Sequence, residues 1–215
     1  MSTFAGILTH SRDSPYTRRV RIVLAELGIA YESRLHPSVY AIDGLQQLNP
    51  NLRIPVWQDD QGVLFDSMLI VEYLLQRYGP AVPPAAPEGA PGLAPWLRRS
   101  EAPWADGKLL ATLEDLTDAG FLLRQLSLSG VEEQQVRYLQ RVRQRIPATL
   151  HWLEAQATPE GFVPGWFGLP DVWLIAALEW AEFRGMYAWR HYPNLSAIVE
   201  RAKARPSVAG TAHEK

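Results

Sequence analysis

The sequence has 215 residues, of which 47% are hydrophobic and 20% are charged, and its formal net charge is −2 at pH 7. That length suits one large domain or two small ones, and the balanced charge disfavours nucleic acid or an anionic membrane surface as a partner. Because the chain contains no cysteine, disulfides, thiolate metal sites and a cysteine nucleophile are excluded.

Two negative features of the sequence bear on its location. Met1–Phe4 is not a basic segment followed by an apolar stretch, so no secretory signal is visible. No apolar run approaches the roughly 20 residues that span a bilayer. We therefore expect a cytoplasmic protein without a membrane partner.

The first eighty residues begin with alternating strand and helix signals. Ala5–Thr9 is a short apolar run that predicts a buried strand. Ser14 and Pro15 predict the start of a helix, since serine is favoured at the N-cap and proline at the first helical position. Gly28 is suited to end that helix, and Tyr31–Leu35 predicts a second strand. The short crossover implies that the two strands are parallel.

A hairpin and a further helix complete this region. Val56-Trp57 and Val63–Phe65 flank a turn at Asp59–Gly62, which predicts two antiparallel strands. Apolar residues at helical spacing predict a helix from about Ser67 to Tyr78. The predicted order is therefore β-α-β, an irregular or helical connection, and β-β-α.

The remainder of the chain predicts helices only. Residues 80–91 are rich in proline and alanine, and we interpret them as a linker between domains at 1–79 and 92–215. Pro147 lies inside an apolar helical stripe and predicts a kink or a break. Val172–Phe183 is apolar on nearly all sides, as in a buried helix. The last predicted helix, from about Asn194 to Ala204, ends before Pro206.

Five segments carry a resemblance to a known family. In chain order they are Ser14–Arg21, Asn49–Pro55, Phe65–Ser67, Leu169–Asp171 and Tyr192–Ser207. Together they resemble the cytosolic glutathione S-transferase family, most of all bacterial members with a serine at the thiol position. The resemblance implies an α/β, thioredoxin-like N-terminal domain at 1–79, an all-helical C-terminal domain at 92–215, and a homodimer.

The resemblance also implies glutathione as co-substrate and a role for Ser14. The glutathione thiol must be held as a thiolate, which then attacks a hydrophobic electrophile. A hydroxyl donor and a helix N-terminus both favour the charged sulfur, and Ser14 supplies both. The alternative is that Ser14 serves only as an N-cap. Ser11 is a nearby substitute for the same role.

Four further residues are expected to hold glutathione. A cis peptide before Pro55 would let the backbone of Ile54 pair with the cysteinyl part of the tripeptide, whereas an ordinary trans proline is the alternative. Asp66 and Ser67 begin a helix, where the γ-glutamyl carboxylate would meet N–H groups and a hydroxyl, and Asp66 could pair with the ammonium group. The alternative for both residues is a routine helix cap.

The glycyl carboxylate has no obvious partner in this sequence. Many relatives place Lys or His three residues before the cis proline, and here that position is Leu52. Arg53 is the candidate replacement, although an alternating strand would send it to the opposite face. We therefore keep two interpretations of Arg53, as a glutathione ligand and as a solvated surface charge.

The electrophile is expected between the domains. Tyr16, Trp104, Lys108 and Trp166 are candidates to line that pocket. The competing interpretation is that large aromatic side chains fill cores. The five histidines show no metal-ligand spacing and no phosphate loop is present, so we expect no metal.

Asp171 is expected to serve folding. Relatives carry Ser or Thr three residues earlier, where this chain has Gly168, which is an acceptable N-cap. We expect Asp171 to bond back to the backbone of Gly168, and we assign it no catalytic role.

Three functions remain open on the sequence alone, because a fold does not fix a function. The first is a transferase that adds glutathione to a hydrophobic electrophile. The second is a glutathione-binding or scaffolding protein with little turnover. The third is a glutathione-dependent ether-cleaving, dehalogenating or isomerising enzyme. The sequence does not identify the electrophile.

Overall fold

The computed structural model describes residues 4–37, 41, 43–79, 92–94 and 98–213. The chain divides into two compact units, one formed by Met1–Leu97 with Lys203–Lys215 and the other by Arg98–Ala202. The linker expected at 80–91 lies outside the described residues. The expected C-terminal domain, 92–215, differs from the helical unit at both ends, because residues 92–97 and Lys203–Lys215 fall in the first unit.

A mixed four-stranded sheet forms the centre of the first unit. Its order is β2-β1-β3-β4, with β2 parallel to β1, and with β3 antiparallel to both β1 and β4. The βαβ start and the hairpin are those that the sequence predicts, and the thioredoxin-like fold class is confirmed. The strands are β1 (Ile7–His10), β2 (Glu32–Leu35), β3 (Val56–Asp59) and β4 (Gly62–Phe65).

The first two helices begin at residues with clear local signals. Ser14 caps the first helix and is followed by proline, and Asp66 caps the second. No helix in the described ranges is long and apolar enough to cross a membrane. The described α-helices are α1 (Pro15–Glu26), α2 (Ser67–Tyr78), α3 (Pro103–Leu128), α4 (Arg137–Gln156), α5 (Leu169–Arg184), α6 (Pro193–Ala202) and α7 (Pro206–Ala209).

A buried ion pair explains why the end of the chain belongs to the first unit. The Arg205 guanidinium donates to both carboxylate oxygens of Glu26, the last residue of α1, at 2.9 and 2.6 Å. The Ser207 hydroxyl donates to the same carboxylate. These contacts join residues about 180 positions apart, so local sequence patterns do not reveal them.

The second unit is built around α5, which packs against α3 and α6. Most of α5 is buried, as its apolar sequence predicts. α4 packs on α3 and α6 and runs without a break through Pro147, although proline cannot donate a helical hydrogen bond. The break that we considered at Pro147 therefore does not occur.

Asp171 fastens the start of α5. Its Oδ2 accepts the Gly168 N–H at 2.8 Å and its Oδ1 accepts the Phe162 N–H at 3.2 Å. The Asp171 N–H donates to the Gly168 carbonyl at 3.1 Å. The predicted bond from Asp171 to the backbone of Gly168 is thus confirmed, with Phe162 as a second donor that the sequence did not indicate.

Candidate functional site

Ser14 places a hydroxyl at the N-terminus of α1. Its backbone is extended, and its Oγ accepts the Thr17 N–H at 3.2 Å, which makes it the N-cap. A serine hydroxyl that accepts one hydrogen bond keeps its own proton to donate. That proton has no acceptor among the described residues. The cap role and the thiolate-binding role are therefore compatible, because they use different parts of one hydroxyl.

Ser11, the substitute considered for the same role, is engaged elsewhere. Its Oγ donates to the carboxylate of Asp13. A hydroxyl has only one proton to donate, so Ser11 would have to give up this bond before it could bind a sulfur atom. The geometry therefore favours Ser14.

His10 is a buried residue four positions before Ser14, and the sequence analysis considered it only as a metal ligand. It ends β1, and its Nε2 lies 2.7 Å from the Ser33 Oγ. Burial lowers the pKa of His10 to about 4, and the positive charges of Arg21 and Arg12 act in the same direction. The ring is thus neutral at pH 7.

A buried asparagine shapes the loop before Pro55. The Asn49 Nδ2 donates to the Arg53 carbonyl at 2.7 Å, and its Oδ1 accepts the Asn51 N–H at 2.9 Å. Asn49 is only 2% exposed. The Ile54-Pro55 peptide is cis, as hypothesised from the sequence. Asn49 was missed as a site residue, although an asparagine before a turn often bonds its own loop.

Leu52 and Arg53 both lie at the surface. Leu52 is 40% exposed and has a positive φ of 53°, an uncommon conformation for a non-glycine residue. The Arg53 side chain is exposed, and its guanidinium has no partner in the described part of the chain. The assignment of Arg53 to the glycyl carboxylate stays a prediction.

The start of α2 offers groups of both hydrogen-bonding types. Asp66 has φ 76° and ψ 123°, an unfavourable backbone conformation for a non-glycine residue. Its Oδ1 accepts the N–H groups of Met68 and Leu69 at 2.8 and 3.2 Å. These two donors are therefore occupied. The N–H and hydroxyl of Ser67, and the second oxygen of Asp66, have no partner among the residues described.

The four candidates for an electrophile pocket are divided between the units. In the first unit, Tyr16 is half-buried on α1, with the Arg19 guanidinium 5.0 Å from its ring centroid. In the second unit, Trp104 is 80% exposed near the start of α3, Lys108 is exposed one turn later, and Trp166 is 37% exposed before α5. Their common role in a pocket stays a prediction.

The described residues contain no group of three or more His, Asp or Glu side chains that could hold a metal ion. The site is instead a set of hydrogen-bond donors and acceptors at the N-termini of two helices and on the loop before Pro55. Such a set suits a polar, anionic small molecule better than it suits a metal.

Comparison with known proteins supports this interpretation. Residues 8–84 match the family model for the glutathione S-transferase N-terminal domain. The uncharacterised GST-like protein YibF of Escherichia coli K12 is 29% identical over 95% of this chain and 96% of its own length. A stringent starvation protein A homolog of Pasteurella multocida is 37% identical over 105 residues, and this match spans about half of that relative, 49% of its length.

Solved structures extend the similarity to the whole fold. A glutathione transferase family member of Pseudomonas fluorescens Pf-5 with bound glutathione matches with a TM-score of 0.79 and 29% identity, over 98% of this chain and all of the other. A glutathione S-transferase of Methylobacillus flagellatus KT with glutathione bound gives 0.79 and 25%, over 97% of this chain and all of the other.

The fold and the matched domain define a two-part protein with a thioredoxin-like first unit and a helical second unit. Residues 8–84 carry a glutathione S-transferase N-terminal domain, and the whole chain is similar in fold to glutathione transferases.

Proposed function

We propose that this protein binds glutathione on its first unit and holds the glutathione sulfur as a thiolate with the Ser14 hydroxyl. The observation that carries the proposal is the position of that hydroxyl at the N-terminus of α1, with its proton uncommitted. Solved relatives at 25% and 29% identity have glutathione bound, which supports the choice of ligand.

The chemistry requires a shift in thiol ionisation. A free thiol has a pKa of about 8.5, so only a few per cent of it is thiolate at neutral pH. A hydrogen bond donated to the sulfur favours the charged form, and so does the positive end of the α1 dipole. The thiolate then attacks an electrophilic carbon, a carbon–sulfur bond forms, and the leaving group departs with its electron pair.

The other groups of the site would orient the tripeptide. The Ile54 backbone would pair with the cysteinyl part, since Ile54 lies just outside the ladder that joins Val56 to Thr9. The free oxygen of Asp66 suits the γ-glutamyl ammonium group, while the Ser67 N–H and hydroxyl suit the carboxylate. Arg53 would take the glycyl carboxylate.

The remaining parts of the proposal rest on family resemblance. Tyr16, Trp104, Lys108 and Trp166 would contact a hydrophobic electrophile. The protein would act as a cytoplasmic homodimer.

A second function is a glutathione-binding protein with little turnover. The observation that favours it is the set of relatives named stringent starvation protein A homologs, which match part of this chain at 37% to 44% identity. Those names describe no transferase. The two functions differ in whether bound glutathione becomes a thiolate that reacts.

The test is a titration with glutathione, followed by thiolate absorbance, on the wild-type protein and on Ser14→Ala. Ser11→Ala is the matched control, since it removes a hydroxyl three residues away that is bonded to Asp13. We expect thiolate in the wild type and in Ser11→Ala, and its loss in Ser14→Ala.

Binding without a thiolate signal in the wild type would favour the second function. If thiolate forms, turnover with a panel of aryl halides, epoxides and aryl ethers separates transfer from dehalogenation and ether cleavage.

A further inference from the structure

The C-terminal segment Lys203–His213, here called the C-terminal clasp, is fastened to the far end of α1. Glu26 is fully buried at that end, and Arg205 is 5% exposed. The guanidinium meets the carboxylate with two hydrogen bonds, at 2.9 and 2.6 Å, and the Ser207 hydroxyl adds a third. A two-point contact of this kind fixes direction as well as distance.

Further contacts join the clasp to the middle of α1. The Arg18 guanidinium lies 3.5 Å from the Val208 carbonyl, and the Arg21 guanidinium lies 3.4 Å from the Gly210 carbonyl. Within the clasp, the Thr211 hydroxyl donates to the Ser207 carbonyl at 2.8 Å. The clasp therefore grips α1 at three successive positions rather than at its end alone.

A gain in folding stability does not by itself explain the buried ion pair between Arg205 and Glu26. Desolvation of a buried ion pair offsets much of its attraction, and apolar side chains of similar volume often stabilise a fold as well or better. A buried bidentate pair does hold two segments at one fixed angle. The segment held here is the helix whose other end carries Ser14.

The length of α1 makes the position of Ser14 sensitive to how the clasp holds the opposite end of the helix. α1 has 12 residues and is about 18 Å long at 1.5 Å per residue. A tilt of about 3° at its clasped end would move the N-cap by about 1 Å. A displacement of that size in a catalytic group can lower a rate by about 100-fold.

We propose that Arg205 is a positioning residue for Ser14, and that the C-terminal clasp sets the orientation in which α1 presents its N-cap hydroxyl to the glutathione sulfur. This inference rests on the proposed function. It gives the C-terminal clasp a role in positioning Ser14, in addition to any role in folding.

The test compares Arg205→Met with the matched control Arg143→Met. Arg143 also makes a bidentate pair, with Glu133, but in the helical unit, and that pair is partly exposed. Arg205→Met is expected to weaken glutathione binding by about 10-fold or more and to move the pH midpoint of thiolate formation towards that of free glutathione. Arg143→Met is expected to leave both unchanged. Arg205→Lys keeps the charge but loses the planar guanidinium that makes two parallel hydrogen bonds. It should give an intermediate glutathione affinity and an intermediate pH midpoint.

A second measurement is independent of glutathione. Hydrogen exchange of the α1 amides, including the Thr17 N–H that Ser14 caps, is expected to accelerate in Arg205→Met and not in Arg143→Met. If Arg205→Met does not fold, Arg205→Lys and Ser207→Ala take its place in both measurements.

The outcomes separate this inference from the proposed function. A lower melting temperature with wild-type thiolate pH midpoint and wild-type α1 exchange would overturn the positioning role, because the clasp would then serve stability alone. If wild-type protein forms no thiolate, the proposed function fails. Hydrogen exchange of the α1 amides in Arg205→Met then decides whether the clasp orders α1. Unchanged exchange would overturn the positioning role of Arg205 as well.

Discussion

Replacement of Asp171 by alanine tests how the helical unit is held together. The Asp171 carboxylate is 1% exposed and accepts two backbone N–H groups, from Gly168 and Phe162. Asp171→Ala leaves both donors buried without an acceptor. Hydrogen bonds to a charged group contribute about 1.5–3 kcal/mol each, so the expected loss from two of them is about 3–6 kcal/mol in the free energy of unfolding. That is a large part of the 5–15 kcal/mol typical of a whole domain.

The assay is urea unfolding followed by far-ultraviolet circular dichroism and by tryptophan fluorescence, since Trp173 and Trp180 are buried in α5. Asp171→Asn is the matched control. It keeps one carbonyl oxygen as an acceptor and should lose about half as much stability. A loss below about 1 kcal/mol in Asp171→Ala would refute the reasoning, because it would mean that water or another group satisfies both donors.

Three further predictions concern the first unit. Because the pKa of His10 is lowered from 6.5 to about 4, the unfolded chain binds the proton first, and stability is lost as pH falls from about 6.5 to about 4. The loss should reach at most about 2 kcal/mol after solvent screening, and melting temperatures of wild type and His10→Gln should converge at low pH. Leu52→Lys should tighten glutathione binding in calorimetry, since a cation near the loop would meet the glycyl carboxylate. An unchanged affinity would show that the lack of a cation at position 52 does not weaken glutathione binding. Asn49→Ala should cost about 1–3 kcal/mol in urea unfolding and weaken glutathione binding, because the Asn51 N–H and the Arg53 carbonyl both lose their partner. An unchanged glutathione affinity in Asn49→Ala would show that binding does not depend on the two hydrogen bonds that the Asn49 side chain makes within the loop.

Local signals predicted much of the architecture. Ser14 followed by proline marks the start of α1, and the turn at Asp59–Gly62 marks the hairpin, because both depend on residues next to each other in sequence. Asp171 and Gly168 are three residues apart, so their bond was also predictable. Helix boundaries shifted by one or two residues, as at α6, which is Pro193–Ala202 rather than about Asn194 to Ala204.

Contacts over long sequence distances were not predictable in the same way. Glu26 and Arg205 each have a routine interpretation as a surface charge, and only the folded chain brings them together in a buried pair. This pair also moves the end of the chain from the helical unit to the first unit. His10 gave no signal beyond its place after a strand, since the pKa of a histidine depends on burial and on cations brought near it by folding.

The central claim is that the Ser14 hydroxyl donates a hydrogen bond to the sulfur of bound glutathione. The most direct measurement is a crystal structure of the protein in complex with glutathione. The account predicts the sulfur within hydrogen-bonding distance of the Ser14 Oγ, at the N-terminus of α1. A sulfur atom remote from that oxygen, or bonded to Ser11 instead, would contradict the account.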